Sequence, residues 1–122
     1  MNLDELKAEL LGDWGPQKSS VDTTALTLIG GRLLDEFRTL IEDVVANNVR
    51  GDIVETGVWR GGACIWAAAV LGHLGDTERR VFVCDSFEGL PLVTSPKETI
   101  SYDDASGLSV VAARNSWAVL PL

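Results

Sequence analysis

Glu55, Gly57, Gly61, Gly62 and Asp85 are the residues whose types and spacing can do chemistry. Four of them lie in Asp52-Ile53-Val54-Glu55-Thr56-Gly57-Val58-Trp59-Arg60-Gly61-Gly62, and Asp85 follows Glu55 by thirty positions. A carboxylate at the mouth of a glycine turn stabilises a positive charge. A glycine beside it lets the backbone approach a ligand closely. A second carboxylate, at the end of the next strand, accepts hydrogen bonds from a ribose diol.

The glycine spacing separates ligand classes. A dinucleotide fingerprint needs Gly-x-Gly-x-x-Gly and an acid roughly 20 residues on. Asp85 follows Gly62 by 23 residues and meets the second condition. The first is not met: Trp59 and Arg60 stand where a pyrophosphate wants bare backbone, and Glu55 repels a diphosphate. A cationic nucleoside reverses that argument. S-adenosylmethionine carries a sulfonium and an α-ammonium, has no phosphate, and keeps a ribose and an adenine. On this reading Glu55 faces the positive end, Asp85 keeps the ribose, and Arg60 meets either the α-carboxylate or solvent. A nucleotide or NAD, and no ligand at all, stay open as alternatives.

These residues need a strand, a turn, a helix and a second strand to position them. Ile53-Val54 begins a strand with few polar residues, which suits burial on both faces of a parallel sheet. Gly62 to Leu74 is apolar nearly all round and reads as a sandwiched helix. Val81-Phe82-Val83-Cys84 is a second buried strand with Asp85 at its carboxyl end, followed by a loop from Ser86 to Pro91. Strand, helix and strand make a right-handed βαβ unit. Before it, Leu3, Leu6, Leu10 and Leu11 draw one face of a short helix capped by Asn2. Gly12 to Ser20 is a linker. Asp22-Thr23-Thr24 offers capping oxygens for Ala25 to Ile29. From Arg32, a helix places Leu33, Leu34, Phe37, Leu40, Ile41, Val44 and Val45 on one side, to cover the sheet face. Asn47-Asn48 and Gly51 end it. Beyond Pro91, Thr94 to Gly107 is polar and turn-rich. Leu108 to Ala113 fits strand or helix, and Trp117 to Leu122 fits a short strand.

Composition narrows the class. The chain has 122 residues, 46% of them hydrophobic and 23% charged, which fits one globular domain. A net charge of −8 argues against a partner such as nucleic acid or an anionic membrane. The start is acidic and unlike a secretory signal, and the apolar run from Ala63 to Leu74 is too short to span a bilayer. Cys64 and Cys84 lack metal-like spacing and read as reduced buried thiols in a cytoplasmic protein.

The stretch Asp52–Gly62, with Asp85-Ser86-Phe87-Glu88-Gly89-Leu90-Pro91, closely resembles the macrocin O-methyltransferase family. The resemblance runs from about Thr23 to Pro91 and includes Thr27-Leu28-Ile29-Gly30. It implies a class I, S-adenosylmethionine-dependent enzyme with an α/β, Rossmann-like three-layer sandwich around a parallel sheet. The family methylates sugar hydroxyls of bacterial natural products with a magnesium ion, so the implied partner is a glycosylated small-molecule acceptor. Carried over position by position, cofactor contacts fall at Leu28 and Ile29, at Glu55, Thr56, Gly57, Val58 and Trp59, and at Asp85, Ser86, Phe87, Glu88 and Gly89.

The chain divides into a helix and linker, 1–20, and a partial cofactor-binding domain, 21–122. The family's metal ligands lie in a second half that nothing here matches, and the tail from Leu108 departs from its pattern. The expectation is therefore a truncated or frame-shifted chain, inactive alone, whose catalytic residues are unknown and whose association into a homo-oligomer is left open. Asp103-Asp104 reads as a solvated pair and His73 as a surface residue near a helix end.

Overall fold

The computed structural model describes residues 2–13, 23–89 and, as backbone, 116–120. Of the linker read from Gly12 to Ser20, residues 14–20 lie outside the described residues, as do Asp22, Leu90-Pro91, the stretch from Thr94 to Ala113 and Asp103-Asp104 within it.

Helix α1 (Leu3–Leu11) begins where Asn2 and Glu5 exchange hydrogen bonds. Asn2 Oδ1 accepts from the Glu5 amide and Glu5 Oε2 accepts from the Asn2 amide, each at 2.9 Å. This reciprocal cap satisfies two donors that a helix start otherwise leaves open. Leu3, Leu6 and Leu10 face the core as their spacing requires. Helix α2 (Gly31–Ala46) buries Leu34 and Ile41, and it ends at Asn47 with Asn48 in the left-handed region. Its buried seam is narrower than its apolar stripe, because Leu33 and Leu40 are exposed. It also packs chiefly on the next helix rather than on the sheet.

Strand β1 (Ile53–Thr56), helix α3 (Gly62–His73) and strand β2 (Val81–Asp85) form the expected βαβ unit. The strands are parallel, with Ile53 opposite Val81 and Thr56 opposite Cys84. Helix α3 is the central element. It lies between β2 on one side and α1 and α2 on the other. Trp66 on α3 is 1% exposed and donates its Nε1–H to the Leu34 carbonyl at 2.8 Å. An aromatic of that size packs deep only when its N–H is satisfied.

Two expectations about the sheet itself change. The sheet is not wholly parallel: β3 (Ser116–Leu120) pairs antiparallel with β2, in the order β1-β2-β3. β1 is not buried on both faces either. Ile53 and Glu55 face the helices, while Val54 and Thr56 are exposed, because among the described residues helices cover one face only.

Residues 23–29 form an extended strap. Alternate residues Thr23, Ala25 and Thr27 are buried. Asp13 anchors its start: Oδ1 accepts from the Thr23 hydroxyl at 2.9 Å and from the Thr24 amide at 2.6 Å. The Leu26 amide then donates to the Leu10 carbonyl, tying the strap to α1.

Candidate functional site

The turn after β1 is built by backbone geometry. Gly57 (φ 78°) donates its amide to the Cys84 carbonyl at 2.8 Å, so the strand pairing runs one residue past β1. Trp59 (φ 50°) and Gly61 (φ 80°) also lie in the left-handed region, and the Gly61 amide closes the turn on the Val58 carbonyl. Glycine adopts that backbone at no steric cost, whereas Trp59 pays about 1–2 kcal/mol for it. The Arg60 guanidinium stacks over the Trp59 ring, 4.5 Å from its centroid.

Beside this turn lies a cleft of about 320 Å³. Leu28, Ile29, Glu55, Gly57, Val58 and Trp59 line it, which brings together six of the residues expected from sequence. Thr56 is exposed on the other side of β1 and does not line it. Asp85, Ser86, Phe87, Glu88 and Gly89 stand next to the cleft rather than in its wall. Thr27, Phe37, Ala63 and Cys64 line it without having been expected. The sequence placed Thr27 in the right stretch, but Phe37 and Cys64 carried only helix-face periodicity. His73, at the end of α3, is exposed as expected.

Asp85 joins the two halves of the site. Its Oδ2 accepts from the Val58 amide at 2.7 Å, and its Oδ1 accepts from the Phe87 amide at 2.9 Å and the Ser86 hydroxyl at 3.4 Å. These donors, the Phe87 amide foremost and then that of Val58, hold the carboxyl below its usual range against an opposing effect of burial. The first work of Asp85 is thus to bolt the β1 turn to the β2 loop. A ribose would have to use its remaining lone pairs.

Glu55 and Cys64 are the titratable groups lining the cleft. Cys64 Sγ donates to Glu55 Oε2 at 2.6 Å. Burial first, and this bond second, push the Cys64 thiol up to about 12, so it stays protonated at neutral pH. Both cysteines are free and buried.

Arg60 has a different partner from the one foreseen. Its Nη1 donates to the carbonyls of Thr23 at 2.6 Å and Ala25 at 2.9 Å, pinning the strap to the turn. The Gly62 amide donates to the Leu26 carbonyl at 2.8 Å. The strap therefore covers the start of α3, the place where a diphosphate would seek free amides. That geometry disfavours a dinucleotide. It leaves Gly57 open: a Cβ there would meet no atom within 4 Å, so backbone and ligand can approach each other. A cleft with one carboxylate, apolar walls and bare backbone at Gly57 fits a cationic nucleoside. The described residues do not fit a magnesium site, because no three acidic, histidine or cysteine side chains gather among them.

A βαβ unit with its cleft at the carboxyl end of β1 is the ligand-binding arrangement of open α/β domains. The macrocin O-methyltransferase (TylF) family model matches residues 3–114, and the chain belongs to that family. It is 49% identical over 78 residues to the 8-demethyl-8-(2,3-dimethoxy-alpha-L-rhamnosyl)-tetracenomycin-C 4'-O-methyltransferase of Streptomyces olivaceus, a match covering 64% of this chain and 30% of that protein. It is 52% identical over 67 residues to the demethyldecarbamoylnovobiocin O-methyltransferase of Streptomyces niveus, covering 55% of this chain and 26% of that one. It is 44% identical over 72 residues to the mycinamicin III 3''-O-methyltransferase of Micromonospora griseorubida, covering 59% and 28%. Among solved structures, the O-methyltransferase NovP superposes with a TM-score of 0.63 at 37% identity, over 77% of this chain and 45% of its own. The chain thus spans less than a third of the length of the three sequence relatives.

Proposed function

We propose that this chain carries the S-adenosylmethionine half-site of an O-methyltransferase that acts on a hydroxyl of a glycosylated natural product. The observation that carries this reading is the Glu55 carboxylate in the wall of an otherwise apolar cleft, beside the open backbone of Gly57. Family membership and the activities of the relatives support the reaction class.

The cofactor supplies an electrophilic methyl group on a sulfonium. The chain's own residues do the rest of the binding. Glu55 stabilises positive charge from a half-buried position, where the attraction is stronger than in bulk water. Leu28, Ile29 and Trp59 provide apolar surface for the nucleoside, and Asp85 holds the turn that presents Val58. Glu55 is the one carboxylate lining the cleft among the described residues, and on this reading it serves the cofactor's positive end, so methyl transfer by these residues alone is not expected. Magnesium, which the family implies, enters no step here. Two free buried thiols support a reducing, cytoplasmic location. Among the described residues no helix is long and apolar enough to cross a membrane.

Calorimetric titration of the chain with S-adenosylhomocysteine, and separately with NAD, tests the reading. Binding of the first and not the second is expected. Binding of NAD, or of neither, ends it.

A further inference from the structure

We propose that Cys64 is a positioning residue: its thiol holds the Glu55 carboxylate against the first turn of helix α3, in the wall of the cleft. The inference rests on the reading that a positively charged nucleoside occupies the cleft.

Glu55 needs such a partner. Strand alternation turns it, with Ile53, toward the helices and away from bulk solvent. A carboxylate half-buried beside Ile29 and Phe37 is costly unless its oxygens find donors. Among the described residues Cys64 provides its one side-chain hydrogen bond. Cys64 is itself 2% exposed and sits in the first turn of α3, so it has little freedom to move. Burial keeps the thiol protonated, hence a donor, across the physiological range. A thiol is also a weak donor. It can fix the direction of a carboxylate while leaving most of its charge, and the whole of Oε1, for a cation. A stronger donor such as lysine would neutralise the group that the ligand needs.

Two measurements on the full chain test this. Infrared spectroscopy of a Cys84→Ala variant, which retains a single thiol, should show an S–H stretching band below that of an unbonded thiol. Glu55→Ala should move that band up. Calorimetry with S-adenosylhomocysteine, which keeps the α-ammonium, should then show binding weakened by up to about tenfold for Cys64→Ala, the loss expected for an ordinary rather than a strong hydrogen bond. Cys64→Ser, which keeps a donor, should recover most of that loss. An unshifted band, or wild-type affinity in Cys64→Ala, overturns the inference and leaves the reading of the cleft intact. Equal loss in the alanine and serine variants also overturns it, because packing alone would then explain Cys64. A shifted band in a wild-type chain that binds no S-adenosylhomocysteine overturns the reading of the cleft, and the positioning role falls with it.

Discussion

The Leu26 carbonyl sits 2.8 Å from the Gly62 amide, and a Cβ on Gly62 would lie 2.4 Å from that same oxygen. The hydrogen bond and the missing side chain are one device. Strap and helix start touch because residue 62 has nothing to interpose. Gly62→Ala should therefore destabilise the chain by about 1–3 kcal/mol, the usual cost of forcing extra atoms into a packed site. Alanine's higher helix propensity, about 1 kcal/mol, offsets part of this. Denaturant titration checks it; an unchanged or raised midpoint would mean that the strap does not lie on α3.

Arg60 fastens the same strap from the other side. Removing its guanidinium in Arg60→Ala leaves the Thr23 and Ala25 carbonyls without their charged donor. The side chain is partly solvated, so a loss of about 1–2 kcal/mol is expected. Amide exchange at Leu26, whose N–H bonds to Leu10, should accelerate more than exchange at β2. Arg60→Lys should restore part of the protection, since a single nitrogen serves both carbonyls.

The βαβ core was legible in sequence because its periods are local. Apolar runs of strand and helix length, broken by Gly57, Gly61 and Gly75, leave little choice of element. One wall of the cleft was legible for a similar reason, since Glu55, Gly57, Val58 and Trp59 fall within one short stretch. What sequence hid is contact across distance. Arg60 meets Thr23 and Ala25 more than thirty residues upstream. Cys64 meets Glu55 across a turn, a pairing that no helix or strand period encodes. The exposure of Val54 was hidden too, because a strand's own residues do not say whether a second layer covers it. Asp85 was placed at its strand end correctly, but spacing alone says nothing of which amides its oxygens will take.

Asp85 gives a pH signature. Its folded-state pKa lies below the ordinary carboxylate value near 3.9, so its contribution is complete above that value. It is lost as pH falls through the folded pKa. Stability should thus decline from about pH 5 downward as Asp85 and Asp76, which is lowered in the same sense, take up protons. Asp85→Asn should cost about 1–3 kcal/mol at neutral pH, because its amide nitrogen would face a backbone N–H. It should also flatten the acid limb without abolishing it, since Asp76 still titrates. An unchanged slope in urea melts between pH 3 and pH 6 would remove Asp85 from this role.

Arg79 closes the opposite end of the unit. Its Nε donates to Asp76 Oδ2 at 2.8 Å and its Nη1 to the Gly51 carbonyl at 2.8 Å, while Asp76 Oδ1 accepts from the amides of Glu78 and Arg79. The ion pair is largely buried, with 13% and 12% of the two side chains exposed. A broad hollow of about 880 Å³ borders these residues. It lies at the amino ends of β1 and β2, whereas open α/β sheets bind ligands beyond the carboxyl ends. Arg79 should therefore matter for folding and not for the cleft. Arg79→Ala strands a shielded carboxylate and should cost about 2–4 kcal/mol, toward the lower side of buried pairs because Asp76 keeps two amide donors. In a double-mutant cycle with Asp76→Asn, the two losses should be less than additive, since the second change removes the charge that the first left unpaired. Provided Arg79→Ala stays folded, its affinity for S-adenosylhomocysteine should match wild type. A selective loss of affinity would mean that this end of the sheet communicates with the cleft through α3, the element that reaches both.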